Sequence, residues 1–264
     1  MGQAMRILVT NDDGINAEGL GVLEAIAAEI AGDTGEVWVV APSTERSGVA
    51  HCISYTTPMM VTQHGPRRFS VDGYPADCVL AGVHHVLKDT PPDLILSGVN
   101  RGNNSAENAL YSGTLGAAIE GAMQGIVSIA LSQYFGPKMV NSTDKFEASR
   151  TYGAKVVKSI LDQDVDNPSD YKLFYNVNFP PVPAEDVKGI KTCPQGYRNG
   201  TCFGADLFEA RNGRQFLFVR GGDQHIQTTA GTDAALNLEG YVSVTPMRAD
   251  LTAHDVLPQL KGFE

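Results

Sequence analysis

A chain of 264 residues, 42% hydrophobic and 19% charged, is long enough to bury its own core without disulfide or metal staples. Its 20 basic against 30 acidic residues give a formal net charge of −10 at pH 7, the wrong sign for a protein that coats a nucleic-acid polymer. No apolar run has the roughly 20 residues of a membrane span, since the longest candidate, Gly113 to Phe135, is interrupted by Glu120 and Gln124.

The first 135 residues alternate strand and helix. Arg6 to Thr10 (RILVT) reads as a buried strand, halted by Asn11-Asp12-Asp13-Gly14, and Leu20, Leu23, Ala27 and Ile30 recur with helical spacing between Ala17 and Ala31. Glu36 to Ala41 is a second strand, stopped by Pro42 and followed by a polar loop from Ser43 to Ser54. Arg68 to Asp72 is the next strand; Pro75 to Leu87 is a helix with Val79, Val83, Val86 and Leu87 on one face and Cys78 as a small buried hydrophobe. Then come a strand over Asp93 to Ser97, a Gly/Asn-rich loop from Gly98 to Asn108, a helix over Thr114 to Gly125 and a strand over Ile126 to Ser132. This alternation specifies an α/β fold with a mostly parallel sheet covered on both faces, and its polar loops fall at the carboxyl ends of strands, where open sheets bind ligands.

Beyond Gly136 the pattern loosens. Asp144 to Gln163 is expected to be a helix, Lys172 to Asn178 a strand, Val187 to Arg220 a set of hairpins forming a projecting arm, Tyr241 to Met247 a late strand and Thr252 to Leu260 a last helix. Residues 1–4 read as a short extension. The amino terminus lacks the basic-then-apolar layout of a secretory signal, and Cys52, Cys78, Cys193 and Cys202 include no Cys-x-x-Cys pair, so a reduced, cytoplasmic protein without structural zinc is expected.

Three loops carry candidate chemistry. Asp12 and Asp13 end the first strand as adjacent carboxylates that repel one another, and a hard cation such as Mg²⁺, Mn²⁺ or Ca²⁺ would keep both ionised; Asn, Asp and Gly are equally the residues of a plain turn. Arg46-Ser47-Gly48 offers a guanidinium, a hydroxyl and backbone amides, parts that also suit an exposed loop. Ser97 to Asn104 runs on toward Tyr111-Ser112-Gly113-Thr114, where Ser and Gly before a helix amino terminus make an anion site and Asn100 can give a neutral oxygen to a metal. No Gly-x-Gly-x-x-Gly follows the first strand, and neither a P-loop nor a Gly-x-Ser-x-Gly elbow is present. His84 and His85 read as surface or packing residues; the Asp-x-Thr context of His254 suits a helix cap.

The stretches VTNDDGINAEG, APSTERSGVAH, PDLILSGVNRGNN, YSGTLGAAIEG and GTDAALNLEGYVSVTP, in this order, resemble the SurE survival-protein family of metal-dependent 5′/3′-nucleotidases, over about Met5 to His254. The resemblance implies a single domain over residues 5–264: a Rossmann-like three-layer core over 5–135, and a carboxyl-terminal part, 136–264, whose hairpin arm and tail are exchanged between subunits of a homodimer or tetramer. It implies one divalent cation per subunit on Asp12, Asp13, Ser47 and Asn100, phosphate contacts from Gly48, Asn104, Ser112, Gly113 and Thr114, and a catalytic group of Asp12, Asp13 and Asn11. The implied reaction releases phosphate from nucleoside 5′- and 3′-monophosphates, with short polyphosphate as a further substrate; neither a nucleic-acid polymer nor a membrane is an expected partner.

Two rivals from other classes share such a sheet: a nucleotide-binding module without catalysis, and a metal-dependent glycosyltransferase using the Asp pair on a sugar nucleotide. Haloacid-dehalogenase phosphatases, which form an aspartyl-phosphate on the first Asp of Asp-x-Asp-Gly, are disfavoured because Asn11 stands at that position and cannot be the nucleophile.

Overall fold

The first strand is apolar on both faces, so it has to lie between two layers of helices: Ile7 and Val9 face one layer, Leu8 the other, and all three are fully buried. The computed structural model describes residues 4–200 and 203–262; residues 1–3 of the expected extension and Cys202 lie outside the described residues. In chain order the strands are β1 (Arg6–Thr10), β2 (Glu36–Pro42), β3 (Val61–Gly65), β4 (Arg68–Val71), β5 (Leu94–Arg101) and β6 (Val127–Gln133). They are followed by β7 (Phe174–Phe179), β8 (Ile190–Thr192), β9 (Gly204–Glu209), β10 (Gln215–Arg220) and β11 (Val242–Met247). The helices are α1 (Glu18–Ala31), α2 (Pro75–Ala81), α3 (Gly113–Met123), α4 (Glu147–Leu161) and α5 (Asp233–Glu239).

Nine strands form one sheet in the order β3-β4-β2-β1-β5-β6-β7-β11-β8. The six from β4 to β7 are mutually parallel; β3 pairs antiparallel with β4 at one edge, and β11 antiparallel with β7 toward the other. Helices α1 and α4 cover the face of Ile7 and Val9, while α2 and α3 cover the face of Leu8, Val40 and Ile95. The α/β three-layer expectation therefore holds. The sheet continues past residue 135 through β7, β11 and β8, so the core is not confined to the amino-terminal half. Hairpin β9–β10 forms a separate two-stranded sheet, whereas β8, expected among the hairpins of Val187 to Arg220, joins the main sheet parallel to β11. No helix among the described residues is long and apolar enough to cross a membrane.

Several expectations need correction. Thr252 to Leu260 is not a helix: it holds a single tight turn, Leu257–Gln259, with Leu251, Val256, Leu257 and Leu260 exposed. Asp250 instead ties up this segment locally, accepting from the Thr252 amide (2.9 Å) and bonding His254 Nε2 (2.6 Å), and with no surface to bury its apolar side chains the helix gains nothing by forming. Edge strand β3 (VTQHG) is polar and mostly exposed and the seven-residue α5 spans only two turns, so neither carries a clear periodic signal in the sequence. The helix begun at Pro75 changes over Gly82–Val86 to wider i→i+5 bonding, with Leu87 N–H on Gly82 O at 2.9 Å.

Strand β5 also runs further than expected, through Asn100 and Arg101, after a register irregularity between Ser97 and Asn100. Gly98 makes this possible, since at φ +134° an added Cβ would lie 2.2 Å from Leu131 O. Asn100 thus sits on a strand extension rather than in a free loop. A second close approach seats the Ser43–Ser54 loop on α3: a Cβ at Gly116 would lie 2.2 Å from Ala50 O. We expect Gly116→Ala to lower the unfolding free energy by about 1–3 kcal/mol through overpacking against backbone, measured by urea denaturation; an unchanged midpoint would contradict this seating.

Candidate active site

The site is assembled at the carboxyl end of β1. Asn11 closes the turn with both ends of its amide, Nδ2 donating to Gly14 O (3.0 Å) and Oδ1 accepting from Gly14 N–H (3.3 Å). That turn presents the next two carboxylates. Asp12 is nearly buried at 4% exposure, and Thr114 at the start of α3 reaches it with its hydroxyl, 2.8 Å from Oδ1, and with its backbone amide. Asp13 Oδ2 accepts from the Arg101 amide on the β5 extension at 3.1 Å. Burial, reinforced by the charge of Asp13, pushes the Asp12 carboxyl up to about 7 despite the Thr114 bonds. Burial likewise raises Asp13, with the Arg101 amide opposing it and Glu45 adding to it.

The second loop is pinned by Arg46, whose backbone N–H donates to Asp12 O at 2.7 Å. Ser47, Gly48, Asp12, Asn100, Asn104 and Ser112 all line one pocket of about 360 Å³. Ser112 caps α3, its Oγ accepting from Leu115 N–H at 3.1 Å, so the positive end of this 11-residue helix opens at the pocket, with Gly113 and Thr114 in its first turn. Asn104 is held on three sides: its amide donates to Asn178 Oδ1 (2.7 Å), its Nδ2 to Ser132 Oγ (2.8 Å), and its carbonyl accepts from Asn176 Nδ2 (2.8 Å). Asp13 lies on the wall of a neighbouring pocket of about 470 Å³, and Arg101 borders both.

Asp12, Ser47, Gly48, Asn100, Asn104 and Ser112 are thus brought together on one pocket and Asp13 lies on its neighbour, while Asn11 and Arg46 sit otherwise than expected. Asn11 acts as the turn-former and is not on the pocket wall. The Arg46 guanidinium lies 5.7 Å over the Tyr74 ring, beside a different pocket. His84 and His85 are exposed as expected, and Cys78 is fully buried.

Sequence reading missed Arg101, which sits in the quoted Asn-Arg-Gly stretch, and the support behind the pocket, which no local pattern reveals. Arg198 is 2% exposed; its guanidinium donates to Ser105 O (3.0 Å), Ser105 Oγ (2.7 Å), Asn103 Oδ1 (3.2 Å) and Glu107 Oε1 (3.2 Å). Asp233 accepts from the amides of Ala106, Gly196 and Ala234. Ala106, at φ +53°, has its carbonyl held by Gln195 Nε2 as well, so the carboxyl-terminal part clamps the segment that carries Asn103 and Asn104.

The donor set fits a hard divalent cation. Among the described residues no three His, Cys, Asp or Glu side chains converge, so a metal here would draw on neutral oxygens as well as the Asp pair. Asn100 uses its Nδ2 on Gly102 O (2.9 Å), which leaves Oδ1 as the donor; Asp12 and Asp13 each have one carboxylate oxygen engaged; Ser47 donates its proton to Glu45 Oε1 (2.8 Å), which leaves its lone pairs.

Comparison with known proteins identifies the family. A family profile described as "Survival protein SurE" matches residues 7–201. Proteins called 5′-nucleotidase SurE from Ruegeria pomeroyi and Roseobacter denitrificans are each 62% identical to this chain, over 98% of it and 99% of their own length. The crystal structure of the SurE protein from Aquifex aeolicus matches with a TM-score of 0.80 at 35% identity, covering 97% of this chain and 98% of that one.

The clamp has a measurable consequence. Arg198→Met leaves Glu107 with only the backbone amide of residue 198 and removes the buried guanidinium from Ser105 and Asn103, and should lower stability by about 3–5 kcal/mol, read from chemical denaturation. A loss under about 1 kcal/mol, in the range of exposed ion pairs, would show that the clamp is dispensable.

Proposed function

The chain belongs to the survival protein SurE family, and we propose that it is a divalent-cation-dependent 5′-nucleotidase, hydrolysing nucleoside 5′- and 3′-monophosphates to nucleoside and phosphate, with short polyphosphate as a further substrate. The observation that carries this reading is that Asp12, Ser47 and Asn100 line one pocket at the amino terminus of helix α3, with Asp13 beside it on the Arg101 amide. One Mg²⁺ or Mn²⁺ per subunit, or Ca²⁺ in its place, is the ion this set suits. When bound, such a cation supplies charge neutralisation for the phosphoryl group as it is transferred.

The chain's own residues do the rest. Ser112, Gly113 and Gly48 offer hydroxyl and amide donors to phosphoryl oxygens, and the α3 dipole favours an anion there. Asn104, fixed by Asn176, Asn178 and Ser132, is the rigid polar wall of the same pocket. Thr114 orients Asp12, and Asp12 or Asp13 takes the proton of the attacking water. Asn11 shapes this turn, and its amide offers no nucleophile for a covalent phosphoryl route.

The arm supports self-association. Leu207, Phe208, Phe216, Leu217, Phe218 and Val219 are all exposed on hairpin β9–β10, Val219 at 76%. So much apolar surface on one projecting element is what an interface between copies requires, and we assign it to a homodimer or tetramer. We place the protein in the cytoplasm, a reading supported by the free thiols of Cys52, Cys78 and Cys193.

Two experiments test these assignments. Phosphate release from a panel of nucleoside 5′- and 3′-monophosphates should vanish on metal stripping, return with Mg²⁺ or Mn²⁺, and fall about a hundredfold or more in Asp13→Asn with an unchanged circular dichroism spectrum. Undiminished turnover in that variant would remove Asp13 from the ligand set, and no release from any substrate would favour a binding module. In sedimentation the wild type should run as a dimer or tetramer and a Phe216→Asp/Phe218→Asp variant as a monomer; a monomeric wild type would refute the arm's role.

A further inference from the structure

Every described residue on the wall of the Asp12 pocket is a glycine or carries a polar or charged side chain, except Tyr111 and Phe203. These two rings meet edge to face, with centroids 4.7 Å apart and planes at 63°, yet each keeps nearly half its surface open, 48% for Tyr111 and 43% for Phe203. A phosphoryl group has no use for them, because hydroxyls, amides and charges serve it better. Open aromatic rings on a polar pocket suit a planar group with a π-face, carried on the phosphate ester at a distance from its reacting end.

We infer that Tyr111 and Phe203 form a stacking platform for the nucleobase of the substrate. The inference rests on the nucleotidase reading above and adds where the base is recognised. Tyr111 directly precedes Ser112, the cap of α3, so its ring stands one residue from the end of the helix assigned to the phosphate. Its backbone is fixed as well, since its carbonyl accepts from Ala50 N–H at 3.0 Å. Phe203 comes from the segment leading into β9, so the arm completes the platform. Gln224, on the same wall, has its amide oxygen engaged by Asn103 Nδ2 at 2.6 Å, which makes its NH₂ the group turned to other acceptors, such as a base edge.

The pocket beside Asp13 also holds aromatics, but they do not offer such a surface. Phe146 is 3% exposed, Phe135 packs edge-on against it at 5.1 Å, and the Lys145 ammonium lies 5.8 Å over the Phe135 ring. Stacking reads any base, because every base has a π-face. The platform therefore discriminates between esters with and without a base more than it does among bases.

The test compares AMP with ribose 5-phosphate, which has the same phosphate and sugar but no base. On Mn²⁺-loaded wild type, Tyr111→Ala, Phe203→Ala and Tyr111→Phe, kcat and KM are measured for both substrates, and AMP binding is measured by calorimetry. The expected result is a KM for AMP raised about ten- to hundredfold in each Ala variant, with kcat little changed. The KM for ribose 5-phosphate should hold, and Tyr111→Phe should behave as wild type. Equal changes for both substrates, or no change for AMP, would overturn the platform. Should the wild type hydrolyse neither substrate, the nucleotidase reading fails instead, and calorimetry with the two ligands still decides the platform: tighter binding of AMP that the Ala variants lose upholds it, and equal binding of both ligands refutes it.

Discussion

The constraint on which this architecture depends is the burial of two neighbouring carboxylates at the end of a central strand. A desolvated Asp12 beside Asp13 is unfavourable in charge, and burial is the larger cause of the rise to about 7. The surroundings offset part of that cost with directed donors: the Thr114 hydroxyl and amide for Asp12, the Arg101 amide for Asp13. Both donors come from distant parts of the chain, α3 and the extension of β5. The geometry of the Asp pair is therefore a property of the whole sheet end, and the proposed cation would complete what the protein's own donors leave unbalanced.

The same requirement explains why the loops on this rim are so firmly tied. The Arg46 amide fixes the second loop to Asp12 O, and Gly116 lets that loop rest on α3. Asn176 and Asn178, on β7, hold Asn104 from behind, while Arg198, Gln195 and Asp233 grip the turn at Ala106 from the carboxyl-terminal part. A buried arginine that satisfies several acceptors at once is a costly way to hold a loop unless the loop's position matters. Here it sets Asn103 and Asn104, two residues of the pocket wall.

Much of this was legible in the sequence, and the reason lies in particular residues. The runs RILVT and DLILS are buried on both faces, so their apolar continuity survives in the primary structure, and the Asp pair follows the first of them without a gap. What could not be read was either short or non-local. Helix α5 has only two turns and edge strand β3 is polar and largely exposed, and β5 reaches Asn100 only because Gly98 tolerates a conformation that no pattern announces. Arg198 lies more than ninety residues from Ser105 in the chain, and nothing in PQGYRNG signals that contact. The spacing in Thr252 to Leu260 suggested a helix, but periodicity carries weight only where a surface exists to receive the apolar face.

The acidic balance of the chain gains its meaning at this point. A net charge of −10 gives no long-range attraction to an anionic phosphate ester, so recognition has to be local and short in reach. The pocket is arranged in that way, with a helix end and neutral amides suited to a phosphate, the oxygens of Asp12, Ser47 and Asn100 on its wall with Asp13 at its border, and a pair of open rings beside them. A nucleic-acid polymer, which depends on an extended basic surface, gains no attraction from this net charge, whereas a small ester carrying one phosphate and one flat apolar group would meet complementary chemistry at both ends of the proposed site. The proposed preference for small esters thus rests on attractive groups gathered in the pocket of about 360 Å³ and at its border with Asp13, on an otherwise repelling molecule.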